Sequence, residues 1–281
     1  MLKQRVVTAI ALFAGLLGAL FLLPSLGLAA VFGIVIALGA WEWAVVCGFA
    51  GTSQRIGYVL VLVFMGLLGI FWLYQHPPRI WWVVLLSLAW WVWVLLELIR
   101  HRARADGLFS GRSSKRIGGA LVLLPPWLAA YYLHAHDPNS PNLLLFLLLL
   151  VGFADTFAFF TGHRFGRHKL APQVSPGKTI EGLLGGVLAV LMLALAWGLW
   201  VNDSGGLHLF LWVALAVVVT LFSVVGDLAE SRLKRLAGVK DSGTLLPGHG
   251  GILDRVDAFT AAAPVFLLGW IAMFQTPAGL P

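Results

Sequence analysis

MLKQRVVTAIALFAGLLGALFLLP (residues 1–24) has a basic start followed by a long apolar run. A secretory leader and a first membrane span both begin this way, and LGLAA (26–30) could pass for a cleavage site. Further apolar runs follow at once, so the stretch is read as an uncleaved first transmembrane helix. That reading sets the fold class. The chain has 281 residues, of which 60% are hydrophobic and 11% charged. A soluble domain carries roughly 25% charged residues. Apolar runs long enough for ~30 Å of hydrocarbon recur to the end. The alternating ten-residue strands of an outer-membrane barrel are absent. The expected fold is an all-α polytopic membrane protein.

Nine spans are expected, near residues 6–23, 27–48, 56–74, 80–99, 118–134, 143–161, 182–201, 207–226 and 256–275. Pro24, Pro77-Pro78, and Pro138 with Pro141 mark breaks. With the N-terminus inside, 18 of the 19 Lys and Arg residues fall on one side, and only Arg79 falls on the other. The positive-inside rule then puts the N-terminus in the cytoplasm and the C-terminus in the periplasm. Residues 1–116 form four spans and a basic loop. Residues 117–281 are expected to form a second region that carries the polar clusters on the cytoplasmic face, and a bacterial inner membrane is the location expected by analogy. The basic loop 100–116 rests on anionic headgroups of the bilayer. Trp81, Trp82, Trp90, Trp91 and Trp93 are expected to face lipid or the interface belt. The single Cys47 excludes a disulfide framework. No repeat or soluble domain is evident.

Polar residues gather in GFADTFAFFTGHRFGRHKLAPQVSPGKTIEG (152–182), GDLAESRLKRLAGVKDSG (226–243) and VKDSGTLLPGHGGILDRVDAF (239–259). Asp227 and Glu230, and Asp254 and Asp257, are each three apart and can share a helix face. Acids at membrane depth need a partner or a shared cation. Carboxylate oxygens suit Mg²⁺ held jointly with substrate phosphates. The plainer alternative pairs the acids with Arg232, Lys234, Arg235 and Arg255. SPGKT (175–179) leads into a helix near Ile180, as a glycine turn offering N–H groups to an anion. It lacks Walker A spacing, and alone it is equally a plain helix start. GHGG (248–251) is a second such loop. His249 has no second histidine at zinc spacing. Lys234 is expected to snorkel to headgroups. Glu97 is expected to pair with Arg100, and Glu42 to pair across a subunit interface.

SRLKRLAGVKDSGTLLPGHGGILDRVD (231–257) resembles the signature of the phosphatidate cytidylyltransferase, or CDP-diacylglycerol synthase, family. That pattern runs Ser-x-apolar-Lys-Arg, four residues, Lys-Asp-x-small, two residues, then apolar-Pro-x-His-Gly-Gly-apolar-x-Asp-Arg-apolar-Asp. Every specified position is met. HRFGRHKLAP, SPGKTIEG, GDLAES and Asp155 also look like the family, with Arg167 standing where lysine is usual. The resemblance implies CMP transfer from CTP to phosphatidic acid, giving CDP-diacylglycerol and pyrophosphate, with Mg²⁺ and possibly K⁺. It implies a homodimer and no nucleic-acid partner. By motif position, Asp227, Asp254 and Asp257 would be metal ligands and, with Lys240, the catalytic set. Ser175, Lys178, Thr179, Glu181, Arg235, Asp241, His249, Gly250, Arg255 and Asp155 would bind substrate. Whether Ser175, Lys178 and Thr179 take the triphosphate or the lipid phosphate stays open. A CTP-dependent lipid kinase is the rival enzyme, and a lipid flippase the rival without chemistry. A CDP-alcohol phosphotransferase is disfavoured because its acidic motif is missing.

Overall fold

A computed structural model describes residues 2–100, 111–201, 205–243, 245 and 250–274. Its elements are α1 (Leu2–Leu22), α2 (Ser25–Val46), α3 (Thr52–Gln75), a 3-10 turn at Pro77–Arg79, α4 (Ile80–Arg100), α5 (Arg112–His136) and α6 (Ser140–Phe165). Then come strands β1 (Lys169–Ala171) and β2 (Ser175–Thr179), followed by α7 (Ile180–Val201), α8 (Gly205–Leu236) and α9 (Leu253–Phe274). At ~1.5 Å per residue, each helix covers a bilayer's hydrocarbon. Eight of the helices among the described residues are long and apolar enough to span. In α1 the apolar stretch described is Phe13–Leu22. The all-α polytopic fold is therefore as the sequence implies.

α5 and α9 form the centre, with 78% and 61% of their apolar windows buried, against 22% for α3 and for α4. One buried core runs through both halves of the chain, from Leu20 and Trp43 to Phe266. On α5, the buried Trp127 donates its indole N–H to the Ala29 carbonyl at 2.8 Å, so its polar atom is satisfied inside the bundle. Lipid tails are as apolar as leucine, so helices in a bilayer associate chiefly by close packing of small residues. The two most extensive contacts, α6 with α7 and α8 with α9, follow this rule. A Cβ on Gly186 would stand 2.7 Å from the Ala154 carbonyl oxygen, and one on Gly226 would stand 2.5 Å from the Asp257 carbonyl oxygen. Asp155, Asp227 and Asp257 lie beside these contacts, so the packing that joins the helices also positions the acids.

Four expectations change. SPGKT is a strand, not a loop. It pairs antiparallel with β1, in the register Lys169↔Thr179 and Ala171↔Ser175, and runs directly into α7. The Val174 N–H donates to the Ala171 carbonyl and closes the connecting turn. The eighth apolar run ends near residue 226, but α8 continues to Leu236 as one 32-residue helix. Trp91 is 1% exposed and belongs to the core, while Trp82 and Trp93 do face outward. Glu42 is 2% exposed and bonded within its own chain, which overturns its pairing across subunits.

Candidate active site

A cavity of ≈630 Å³ lies between α6, α7, α8 and the hairpin. Asp155, Ser175, Lys178, Thr179 and Asp227 line it. Lys178, near the end of β2, sets its ammonium 2.5 Å from Asp227 Oδ2. The other Asp227 oxygen accepts the Ser231 hydroxyl, one helical turn on, at 3.2 Å. Asp155 is within electrostatic reach of Lys178, Asp227 and Arg255. Asp257 is within reach of Asp227, Glu230 and Lys178. Lys178 thus pairs directly with Asp227 and also acts electrostatically on Asp155 and Asp257, with Arg255 acting on Asp155 as well.

Hairpin and helix start are held by the motif's own residues. Thr179 Oγ1 accepts the Gly182 N–H at 3.1 Å, which caps α7 at its third residue. Glu181 accepts the backbone N–H groups of Arg167 and His168 at 3.0 and 3.2 Å, and lies 2.6 Å from the His168 ring. It therefore braces the turn that leads into β1. Arg235 Nε donates to the Val174 carbonyl at 3.3 Å, which ties the end of α8 to the hairpin. Sequence reasoning passed over Lys169, which lines the same cavity from β1.

A second ionic network adjoins the first. Lys234 Nζ lies 2.5 Å from Glu230 Oε2 and 2.6 Å from Asp254 Oδ1. Its side chain is 13% exposed, so the expected snorkelling to headgroups is overturned by burial and by two carboxylate partners. Asp254 also accepts the N–H groups of Ser242, at 3.1 Å, and Gly251, at 2.9 Å. Arg232, also buried, reaches the Glu97 carbonyl at 3.4 Å. Gly250 takes φ +83°, a left-handed conformation that suits glycine, in the turn before Asp254. Lys240, Asp241 and Arg255 are exposed nearby. His249 lies outside the described residues.

The fit to a divalent ion can be judged from these donors. Among the described residues, no three of the acids, histidines and Cys47 converge tightly enough to cage a metal. Asp227, whose oxygens face Lys178 and Ser231, lies near Asp257, and the Asp254 oxygens are likewise engaged, by Lys234, Ser242 and Gly251. An acid-only set of this kind, with Asp155 and Asp227 on the cavity wall, is one that could suit Mg²⁺ completed by phosphate oxygens. It is a poor set for zinc.

Comparison with known proteins identifies relatives of the whole chain. The cytidylyltransferase family matches residues 3–272. A phosphatidate cytidylyltransferase of Pseudomonas aeruginosa is 41% identical over 99% of this chain and 100% of its own length. One from Haemophilus influenzae is 38% identical, over 95% of this chain and 97% of its own. One from Staphylococcus aureus is 45% identical over 48% of this chain and 52% of its own.

Proposed function

The chain belongs to the cytidylyltransferase family, and we propose that it transfers CMP from CTP to phosphatidic acid, releasing pyrophosphate and forming CDP-diacylglycerol. The observation that carries this is the cavity that brings Lys178 and Asp227 together within a membrane bundle. A phosphate oxygen of the lipid attacks the α-phosphorus of CTP in line. A new P–O bond forms as the α–β bridge breaks, and the electron pair leaves with pyrophosphate. No group on the chain needs to become covalently attached.

In this reading Asp227 and Asp257 hold Mg²⁺, and the ion, when bound, neutralises phosphate charge and stabilises the leaving pyrophosphate. K⁺ stands on the family resemblance, and no residue is assigned to it. Lys178 and Lys169 place ammonium groups in the cavity for phosphate oxygens. Capping by Thr179 leaves the start of α7, with its positive dipole end, facing the same space. Lys234 bridges Glu230 and Asp254, which engages both of these carboxylates away from the Lys178–Asp227 cavity. Beside this cavity, and sharing Lys169, Leu170, Leu183 and Val224 with it as a wall, lies a second of ≈620 Å³ with a more apolar lining. A space that carries Lys178 and Asp227 in contact with an apolar one suits a substrate with a phosphate head and acyl tails. The reading includes a homodimer in a bacterial inner membrane, with the site on the cytoplasmic side.

Product analysis of the detergent-purified protein tests it. Given CTP, phosphatidate and Mg²⁺, equal amounts of pyrophosphate and CDP-diacylglycerol are expected. Conversion of CTP to CDP with phosphorylation of a lipid alcohol would replace this reading with the kinase.

A further inference from the structure

Glu42 lies on α2, far in sequence from every motif residue. It is 2% exposed. Its Oε2 accepts the Ser242 hydroxyl at 3.1 Å and the Leu253 backbone N–H at 2.8 Å. Those donors stand at the two ends of the segment that carries GHGG. Ser242 N–H and Gly251 N–H in turn donate to Asp254. Gly243 and Gly251 crowd the same carboxylate, and a Cβ on either would collide with it. The other oxygen, Oε1, is buried and has no hydrogen-bond partner among the described residues.

A buried carboxylate is costly to hold in place unless its bonds return the energy. Here the bonds go to both ends of one loop. We propose that Glu42 is a positioning residue. It ties Ser242 to Leu253, and through the Ser242 and Gly251 amides it fixes the Asp254 carboxylate and the start of α9. It touches no substrate. The N-terminal helices thereby contribute directly to the order of the active site. The inference rests on the reading of the 242–257 segment as part of that site.

Hydrogen exchange and kinetics on the full-length protein in detergent test it together. In Glu42→Ala, amide exchange in the 242–254 peptide is expected to rise at least tenfold more than in α5 or α6 peptides. kcat is expected to fall about 30-fold, with a smaller change in KM for CTP. Glu42→Gln keeps an oxygen for Leu253 N–H and Ser242 Oγ, so it is expected to stay within about threefold of wild type and keep local protection. Unchanged exchange in the 242–254 peptide of Glu42→Ala overturns the proposal, as does an activity within threefold of wild type. If Glu42→Ala does not fold, Ser242→Ala decides. It removes one of the two bonds without emptying the site. A local rise in exchange with about a fivefold loss of kcat upholds the clamp, and no change in either overturns it. The exchange result does not depend on the substrate. Failure of wild type to release pyrophosphate would sink the functional reading and leave the clamp standing.

Discussion

At the scale of residues, Lys178 pairs with Asp227 in the cavity wall, so its removal takes away that acid's cation. Lys178→Ala is expected to lower kcat roughly 10²–10³-fold in a pyrophosphate-release assay, with the protein still folded. Lys234 differs. Its loss would leave Glu230, 4% exposed, facing Asp254 without a cation. Lys234→Ala is expected to cost about 3–5 kcal/mol of stability and to lower the thermal midpoint in detergent before any kinetic effect is separable. A Lys234→Ala protein with the wild-type midpoint would contradict this network. Cys47 is held inert by burial, which pushes its thiol up to about 12 despite the opposing Lys115 charge. At pH 7.5 its alkylation by a maleimide is expected to be roughly 100-fold slower than that of a free thiol. The acids and Lys178 were legible because acids at membrane depth, and a lysine beside a glycine turn, stand out against an apolar background. Glu42 and Lys234 were not. Glu42 meets its partners across some two hundred residues, and nothing local in the sequence marks that pairing. Lys234 resembles any interfacial lysine until Asp254 is brought against it.

At the scale of elements, hydropathy found the apolar runs and missed what the helices do at their polar ends. α8 stays helical through GDLAESRLKRL because pairs one turn apart, Ser231 with Asp227 and Lys234 with Glu230, satisfy its charged face. The hairpin escaped notice because Pro172, Pro176 and Gly177 are residues that usually argue against strands. Its two short strands are held by α7 capping and the Glu181 brace rather than by strand propensity. Thr179→Ala removes that cap and is expected to cost about 1 kcal/mol, read as a lower thermal midpoint. The α6–α7 contact depends on close backbone approach, so Gly186→Val should force the helices apart. About 1–3 kcal/mol is the expected loss, together with lower activity, because Asp155 and Lys178 lie on either side of that contact.

At the scale of the whole molecule, charge explains why the bundle is built this way. Five carboxylates (Asp155, Asp227, Glu230, Asp254 and Asp257) face two ammonium groups and the Arg255 guanidinium at one end of the bundle. Acids and bases are thus interleaved at this end, with Lys169, Arg235 and Lys240 close by, an arrangement that suits phosphate. The proposed cytoplasmic placement of this end rests on the distribution of Lys and Arg along the sequence. In a Cys47→Ser background, a cysteine at Lys240 and one at His208 should react with an impermeant reagent from opposite faces, Lys240 from the cytoplasmic one. Labelling of both from one face would contradict a membrane-crossing α8 between them. The most direct measurement is pyrophosphate release from CTP and phosphatidate by Asp227→Asn, beside wild type of equal thermal midpoint. A loss of about 10³-fold or more is expected if the Asp227–Lys178 cavity is the catalytic centre. Activity within tenfold of wild type would contradict it, and the chemistry would have to be sought elsewhere in the bundle.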